Sequence, residues 1–219
     1  MNLFLPKYPS LLKLLYPKRI SRIQDENAIY LTFDDGPIPE ITPWVLDLLD
    51  DYSAKATFFC IGENVVKNPN IFQSILKNGH AVGNHTYNHL NGWKSSKAVY
   101  TQNTEKTQQA FKDNHYHPET RFFRPPYGRI KNSQASALVE SGYKIVMWDV
   151  ISGDYDHNLS AEKCYQNVIE NAASGSTIVF HDSEKAFKNL REVLPRVLRY
   201  YSEKGFTFKS LTDVPLEGQ

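Results

Sequence analysis

The chain has 219 residues, 41% hydrophobic and 13% aromatic, enough for one large domain or two small ones and too apolar for a disordered chain. Its 25 basic and 24 acidic residues leave a formal charge of +1, which excludes the electrostatic footprint of a nucleic-acid-binding protein. No apolar run is long enough to span a membrane, and Cys60 and Cys164, far apart and without metal-like spacing, read as buried free thiols, with one disulfide as the alternative.

The first element is a short one. Residues 1–20, MNLFLPKYPSLLKLLYPKRI, are apolar and basic, but Pro6, Lys7 and Lys13 interrupt them. They lack the charged, apolar and cleavable regions of a signal peptide in that order. Leu11, Leu12, Leu14 and Leu15 suit a short amphipathic helix covering an open end of the fold, with contact to a membrane surface as the lesser reading. Residues 1–27 are thus expected to be an extension packed on a domain of residues 28–219. Without a recognisable export signal the default location is cytoplasmic, and an extracellular or cell-envelope role stays open.

From residue 28 onward, short apolar runs alternate with stretches of helical period. Strands are predicted at 28–33, 56–61, 80–83, 122–124, 144–148, 177–180 and 206–209. Ile41, Trp44, Val45, Leu48, Leu49 and Tyr52 mark one helix face, with Thr42-Pro43 as its predicted N-cap and first turn. Ile71, Phe72, Ile75 and Leu76 mark a second, ended by Gly79. Segments 95–111, 133–141 and 161–173 suit further helices. Phe187 to Tyr201 forms a last stripe, with a kink expected at Pro195. Seven strands, most followed by a helix, predict an α/β fold with a parallel sheet, either closed as a barrel or open and doubly wound, with function at the C-terminal ends of the strands.

Polar residues gather at those ends. Asp34 and Asp35 follow the first strand, His85 and His89 the third, Arg124 ends the fourth, Trp148, Asp149 and Asp154 follow the fifth, and His181 and Asp182 end the sixth. Two imidazoles four residues apart plus a carboxylate form a common divalent-metal triad. A bound cation explains how adjacent aspartates both stay ionised. One would ligate the metal and the other would deprotonate a metal-activated water, with His181 as the natural general acid. Asp182 reads as an N-cap for the following helix. Tyr87, Trp93, Trp148 and Tyr155 are aromatics near these ends that suit stacking on a ligand or a core role.

Thr32-Phe-Asp-Asp-Gly-Pro37, His85-Thr-x-x-His89, Arg124-Pro-Pro-Tyr127 and Ile178-Val-Phe-His-Asp182 resemble, in order, the motifs of the polysaccharide deacetylase family, carbohydrate esterase family four. The resemblance spans roughly Ala28 to Lys209. It implies a distorted (β/α) barrel of about seven parallel strands. By position it implies Asp34 as the base, Asp35, His85 and His89 as metal ligands, and Arg124 as the group that orients the base. It further implies the Tyr127 N–H as oxyanion donor, His181 as general acid, and Pro126, Trp148, Asp154, Tyr155 and Val179 around the substrate pocket. The metal is a divalent ion, zinc foremost, and the substrate an acetylated carbohydrate of the N-acetylglucosamine type. Release of O-acetyl groups, or metal and glycan binding without turnover, are the alternatives. The fourth motif departs from the family pattern: Ile151 replaces an aspartate and Tyr155 a tryptophan, with Asp149 as a stand-in only if the loop shifts.

Overall fold

The computed structural model describes residues 5–213; the ends of the proposed extension and domain, residues 1–4 and 214–219, lie outside the described residues. The elements in chain order are α1 (Ser10–Leu15), β1 (Ala28–Asp34), α2 (Ile41–Asp51), β2 (Ala56–Cys60), α3 (Gly62–Lys67), α4 (Pro69–Lys77), β3 (Ala81–Asn84), α5 (Lys97–Asp113), β4 (Arg121–Phe123), α6 (Asn132–Glu140), β5 (Tyr143–Ile145), β6 (Val150–Ile151), α7 (Ala161–Ile169), β7 (Thr177–His181), α8 (Glu184–Glu203) and β8 (Thr207–Phe208). Single turns of 3-10 helix lie at Gly92–Lys94 and Pro126–Gly128. Strand order is β5-β4-β3-β2-β1-β7-β6, every pair parallel, with β8 added beside the start of β1. Seven parallel strands thus curl into a half-barrel with helices outside.

Alternation along the central strands separates two environments. Ile29, Leu31 and Phe33 of β1 join Phe58 of β2 and Ile178 and Phe180 of β7 in the main core beneath the helices. The alternate residues turn inward. Tyr30 and Phe59 join Phe122 and Val146 in a smaller inner cluster, and Thr32 and Asp34 stand further along the same face of β1. Both faces are buried, which is why β1 reads as a nearly continuous apolar run.

The two edge strands, β5 and β6, do not pair with each other. The N-terminal segment fills that seam. Ile20 donates its N–H to the Ile145 carbonyl and accepts from the Met147 N–H, while the Tyr8 N–H donates to Asp149 and the Ile151 N–H to Pro6. The segment satisfies backbone groups that an open sheet edge would leave unpaired. The Lys7 and Lys13 ammonium groups lie 2.9 and 2.7 Å from the fully buried Asp149 carboxylate. That pairing corrects the expectation that Asp149 stands in for the missing aspartate of the fourth motif. The β6 strand and α3 were not predicted; two and six residues are too few to show a period. Pro195 sits inside a continuous α8. Both cysteines are free and buried.

Candidate active site

The C-terminal end of β1 positions two carboxylates that an ordinary strand would point to opposite faces. Asp34 follows Thr32 to the inner face. Asp35 then adopts φ +87°, a left-handed conformation rare outside glycine, and so brings its carboxylate to the same side. The next residue must be glycine, because a Cβ on Gly36 would lie 1.9 Å from Asp182 Oδ2. Asp182 is fully buried and accepts hydrogen bonds from the Gly36 N–H (3.0 Å) and Thr42 Oγ1 (2.6 Å). Burial pushes its carboxyl up to about 8. These contacts correct two expectations. Thr42 is not the N-cap of α2, which begins after Glu40; it lies in the first turn and braces the Asp35–Pro37 loop. Asp182 does not cap α8, whose N-cap is Ser183.

Asp35, His85 and His89 converge, with one ligand atom of each within 4.8 Å of the others. Asp35 Oδ1 is 3.7 Å from His85 Nε2 and 3.4 Å from His89 Nε2. Ligands at ordinary zinc distances around a tetrahedron are about 3.4 Å apart. Asp35 Oδ1 is buried with no hydrogen-bond partner, an orphan that a cation would satisfy. His85 Nδ1 lies 2.8 Å from the Arg124 carbonyl, which fixes the proton there and leaves the Nε2 lone pair facing Asp35. Burial lowers the pKa of both imidazoles, that of His89 to about 4 with help from neighbouring His85, so both are neutral ligands at pH 7. The donor set fits a divalent transition metal.

Asp34 stands apart from this cluster by its partner. Arg124 Nη1 is 2.7 Å from Asp34 Oδ1 and 2.7 Å from Thr32 Oγ1, and Nη2 donates to the Met147 carbonyl. The guanidinium also lies 4.1 Å from the Phe59 ring centroid. Burial raises the Asp34 pKa, but Arg124, His85 and His181 outweigh it and hold the carboxyl below its usual range. Arg124 Nε is buried without a partner. In the register of the parallel sheet, Ile151 lies beside Val179, and Val179 beside Thr32, so the apolar Ile151 occupies the inner row from which Thr32 reaches Arg124.

On the opposite side, His181 pairs in register with Asp34 across β1 and β7. Asp154 Oδ1 is 2.8 Å from His181 Nδ1, and Oδ2 accepts the His181 N–H at 2.8 Å. Burial opposes the charge on the imidazole, but Asp154 and then Asp35 and Asp34 raise its pKa to about 9, so His181 is protonated at neutral pH. Asp154 is therefore an anchor beneath His181, not part of a pocket wall; at 1% exposure it is out of reach of substrate. Val179 and Pro126 are also buried. Tyr155, half-buried, packs edge-on against His181 at 4.9 Å. Trp148 is half-buried between Tyr8 and Gly128. Tyr127 has φ +59° and an exposed ring 4.5 Å from that of His89; among the described residues its N–H donates to no protein acceptor. Tyr87 is covered by the Lys106 ammonium.

Carboxylates of two different characters, a neutral His pair and a protonated His at the mouth of a parallel half-barrel form a set of groups suited to hydrolysis. Known proteins narrow this. A family model described as polysaccharide deacetylase matches residues 21–146. A peptidoglycan-N-acetylglucosamine deacetylase of Bacillus cereus is 35% identical over 87% of this chain and 89% of its own length. A chitooligosaccharide deacetylase of Azorhizobium caulinodans is 33% identical over 73% of this chain and 75% of its own. A crystal structure of a peptidoglycan N-acetylglucosamine deacetylase superposes with a TM-score of 0.85 at 33% identity, covering 94% of this chain and 96% of that one. The chain belongs to the polysaccharide deacetylase family, and is a hydrolase that deacetylates carbohydrate at nitrogen.

Proposed function

We propose that the protein removes the N-acetyl group of N-acetylglucosamine residues in a peptidoglycan-type glycan, with Asp35, His85 and His89 holding a divalent ion, zinc foremost. The observation that carries this reading is the buried, unpartnered Asp35 Oδ1 facing two neutral imidazoles beside the Asp34–Arg124 pair. When bound, the ion supplies Lewis-acid activation of water and of the acetyl carbonyl, so a carboxylate held ionised suffices as base.

The chain's own groups divide the rest of the work. Arg124 holds Asp34 Oδ1, leaving Oδ2 to take a proton from the attacking water. As the carbonyl carbon becomes tetrahedral, the unpaired Tyr127 N–H donates to the developing oxyanion. His181, held by Asp154 at Nδ1, gives its Nε2 proton to the departing amine. The products are acetate and a free amino sugar.

The test is acetate release from N-acetylglucosamine oligomers and peptidoglycan fragments, with O-acetylated xylan alongside. Asp34→Asn is expected to lower kcat at least about 100-fold with little change in bound metal, and chelation to abolish turnover reversibly. Acetate from xylan alone would move the reaction to ester cleavage. Absence of acetate from every substrate, in protein shown to bind metal and glycan, would assign a binding protein.

A further inference from the structure

Next to the site lies a row of side chains that the chemistry above does not use. Trp93 is 60% exposed and Tyr127 61% exposed. The exposed Arg129 guanidinium lies between them, 5.2 Å from the Trp93 ring centroid and 6.0 Å from that of Tyr127. Tyr127 in turn touches His89, so the row runs continuously from a proposed metal ligand outward. The ion pairs formed among the described residues lie elsewhere, and no acidic side chain neutralises Arg129 there.

The row is built on a firm base. Asn91 Oδ1 accepts the Trp93 N–H at 3.0 Å. The fully buried Gln134 donates to the Gly92 carbonyl at 2.9 Å, and Lys131 Nζ to the Ser95 carbonyl at 2.7 Å. A Cβ on Gly92 would lie 2.4 Å from the Arg129 carbonyl oxygen, so glycine lets the Trp93 turn and the Arg129 loop touch. The turn that carries Trp93 is thus held at its backbone, and the exposed indole has an apolar face that stays unburied until a ligand covers it. Indole and phenol faces stack on the C–H face of a sugar ring. A guanidinium between them adds two-pronged recognition of a carboxylate.

We propose that Trp93, Arg129 and Tyr127 form a subsite for a neighbouring sugar that bears a carboxylate, beside the N-acetyl sugar that reacts. Within the peptidoglycan-type glycan of the proposed function, these side chains then recognise the carboxylate of the lactyl-ether amino sugar, which a uniform neutral polymer lacks. The assignment rests on the deacetylase reading for its second sugar only.

The test compares a tetrasaccharide of alternating N-acetylglucosamine and N-acetylmuramic acid with the same tetrasaccharide after reduction of its carboxylates to alcohols. Binding is measured calorimetrically to the zinc-loaded Asp34→Asn variant, so that the outcome does not depend on turnover. The acidic tetrasaccharide is expected to bind about tenfold tighter than the reduced one. Arg129→Gln should bring that ratio near one, Arg129→Lys should keep part of it, and Trp93→Ala should weaken both ligands together. Melting curves of the variants establish that they are folded. Equal affinity of the two tetrasaccharides for the Asp34→Asn protein, or an unchanged ratio in Arg129→Gln, would overturn the subsite. Failure of deacetylation with an intact ratio would count against the reaction and not against the subsite.

Discussion

At the scale of single residues, chemistry here depends on how each ionisable group is partnered. Asp34 and Asp154 are both buried carboxylates, yet one faces a guanidinium and the other an imidazole. The first pairing yields a low-pKa base and the second a histidine that keeps its proton to about pH 9. Asp154→Asn removes the charge that sustains this proton. Because catalysis needs His181 protonated, activity is lost as pH rises through its pKa. The alkaline limb of kcat/KM should therefore move from about 9 in the wild type toward the ordinary histidine value near about 6.5 in the variant. A pH–rate profile checks this, and an unmoved limb would remove His181 as the acid. Arg124, by contrast, keeps an unsatisfied Nε, and among the described residues no carboxylate reaches it in place of one at position 151.

At the scale of elements, the loop after β1 is held by α2 and by the end of β7. Thr42, Gly36 and Asp182 form a buried clamp that sets where Asp35 points. Thr42→Val removes one donor and leaves Asp182 Oδ2 short of a partner, at a cost of about 1–3 kcal/mol. The Asp182 pKa is raised on folding, so its stabilising effect is complete below the unfolded carboxyl value near about 3.9. It is lost as pH rises through about 8. The Thr42→Val melting temperature should accordingly fall at neutral pH and fall further toward pH 9, with weaker metal binding as Asp35 loses its support. Thermal melts across pH 5–9 with a parallel zinc titration measure both.

At the scale of the whole molecule, the half-barrel is incomplete without its N-terminal segment. Strands β5 and β6 present edges, and residues 6–8 and Ile20 pair with the chain along them. Asp149 is fully buried in this seam, bound to Lys7, Lys13 and Ser176 Oγ. Lys7→Ala with Lys13→Ala would strand that charge. The lysines are 42% and 32% exposed, so water offsets part of the loss and about 2 kcal/mol is expected, below the full figure for a buried pair. Burial raises the Asp149 pKa, but the lysines and Ser176 outweigh it and depress it overall. The stabilisation is therefore present above the unfolded carboxyl pKa and lost as pH falls through the folded one. The deficit of the double variant should be full at pH 7 and close in acid, as urea denaturation at the two pH values would record. Among the described residues no helix is long and apolar enough to cross a membrane.

Much of this was open to reading along the chain, for a physical reason. Apolar runs ending in Asp34, Arg124 and His181 reveal strands whose C-terminal ends carry polar groups, because strand direction and side-chain period are local properties. The His85–His89 spacing is likewise local, and the ordered motifs carried the family. What separates Asp34 from Asp35 is not local: it takes the positive φ of Asp35, the contact of Gly36 with Asp182 and the reach of Arg124 from three strands away. Nor does the chain announce that Asp149 belongs to Lys7 and Lys13, or that Arg129 stands between Trp93 and Tyr127. Those pairings join residues distant in sequence, and only packing decides which charge meets which partner.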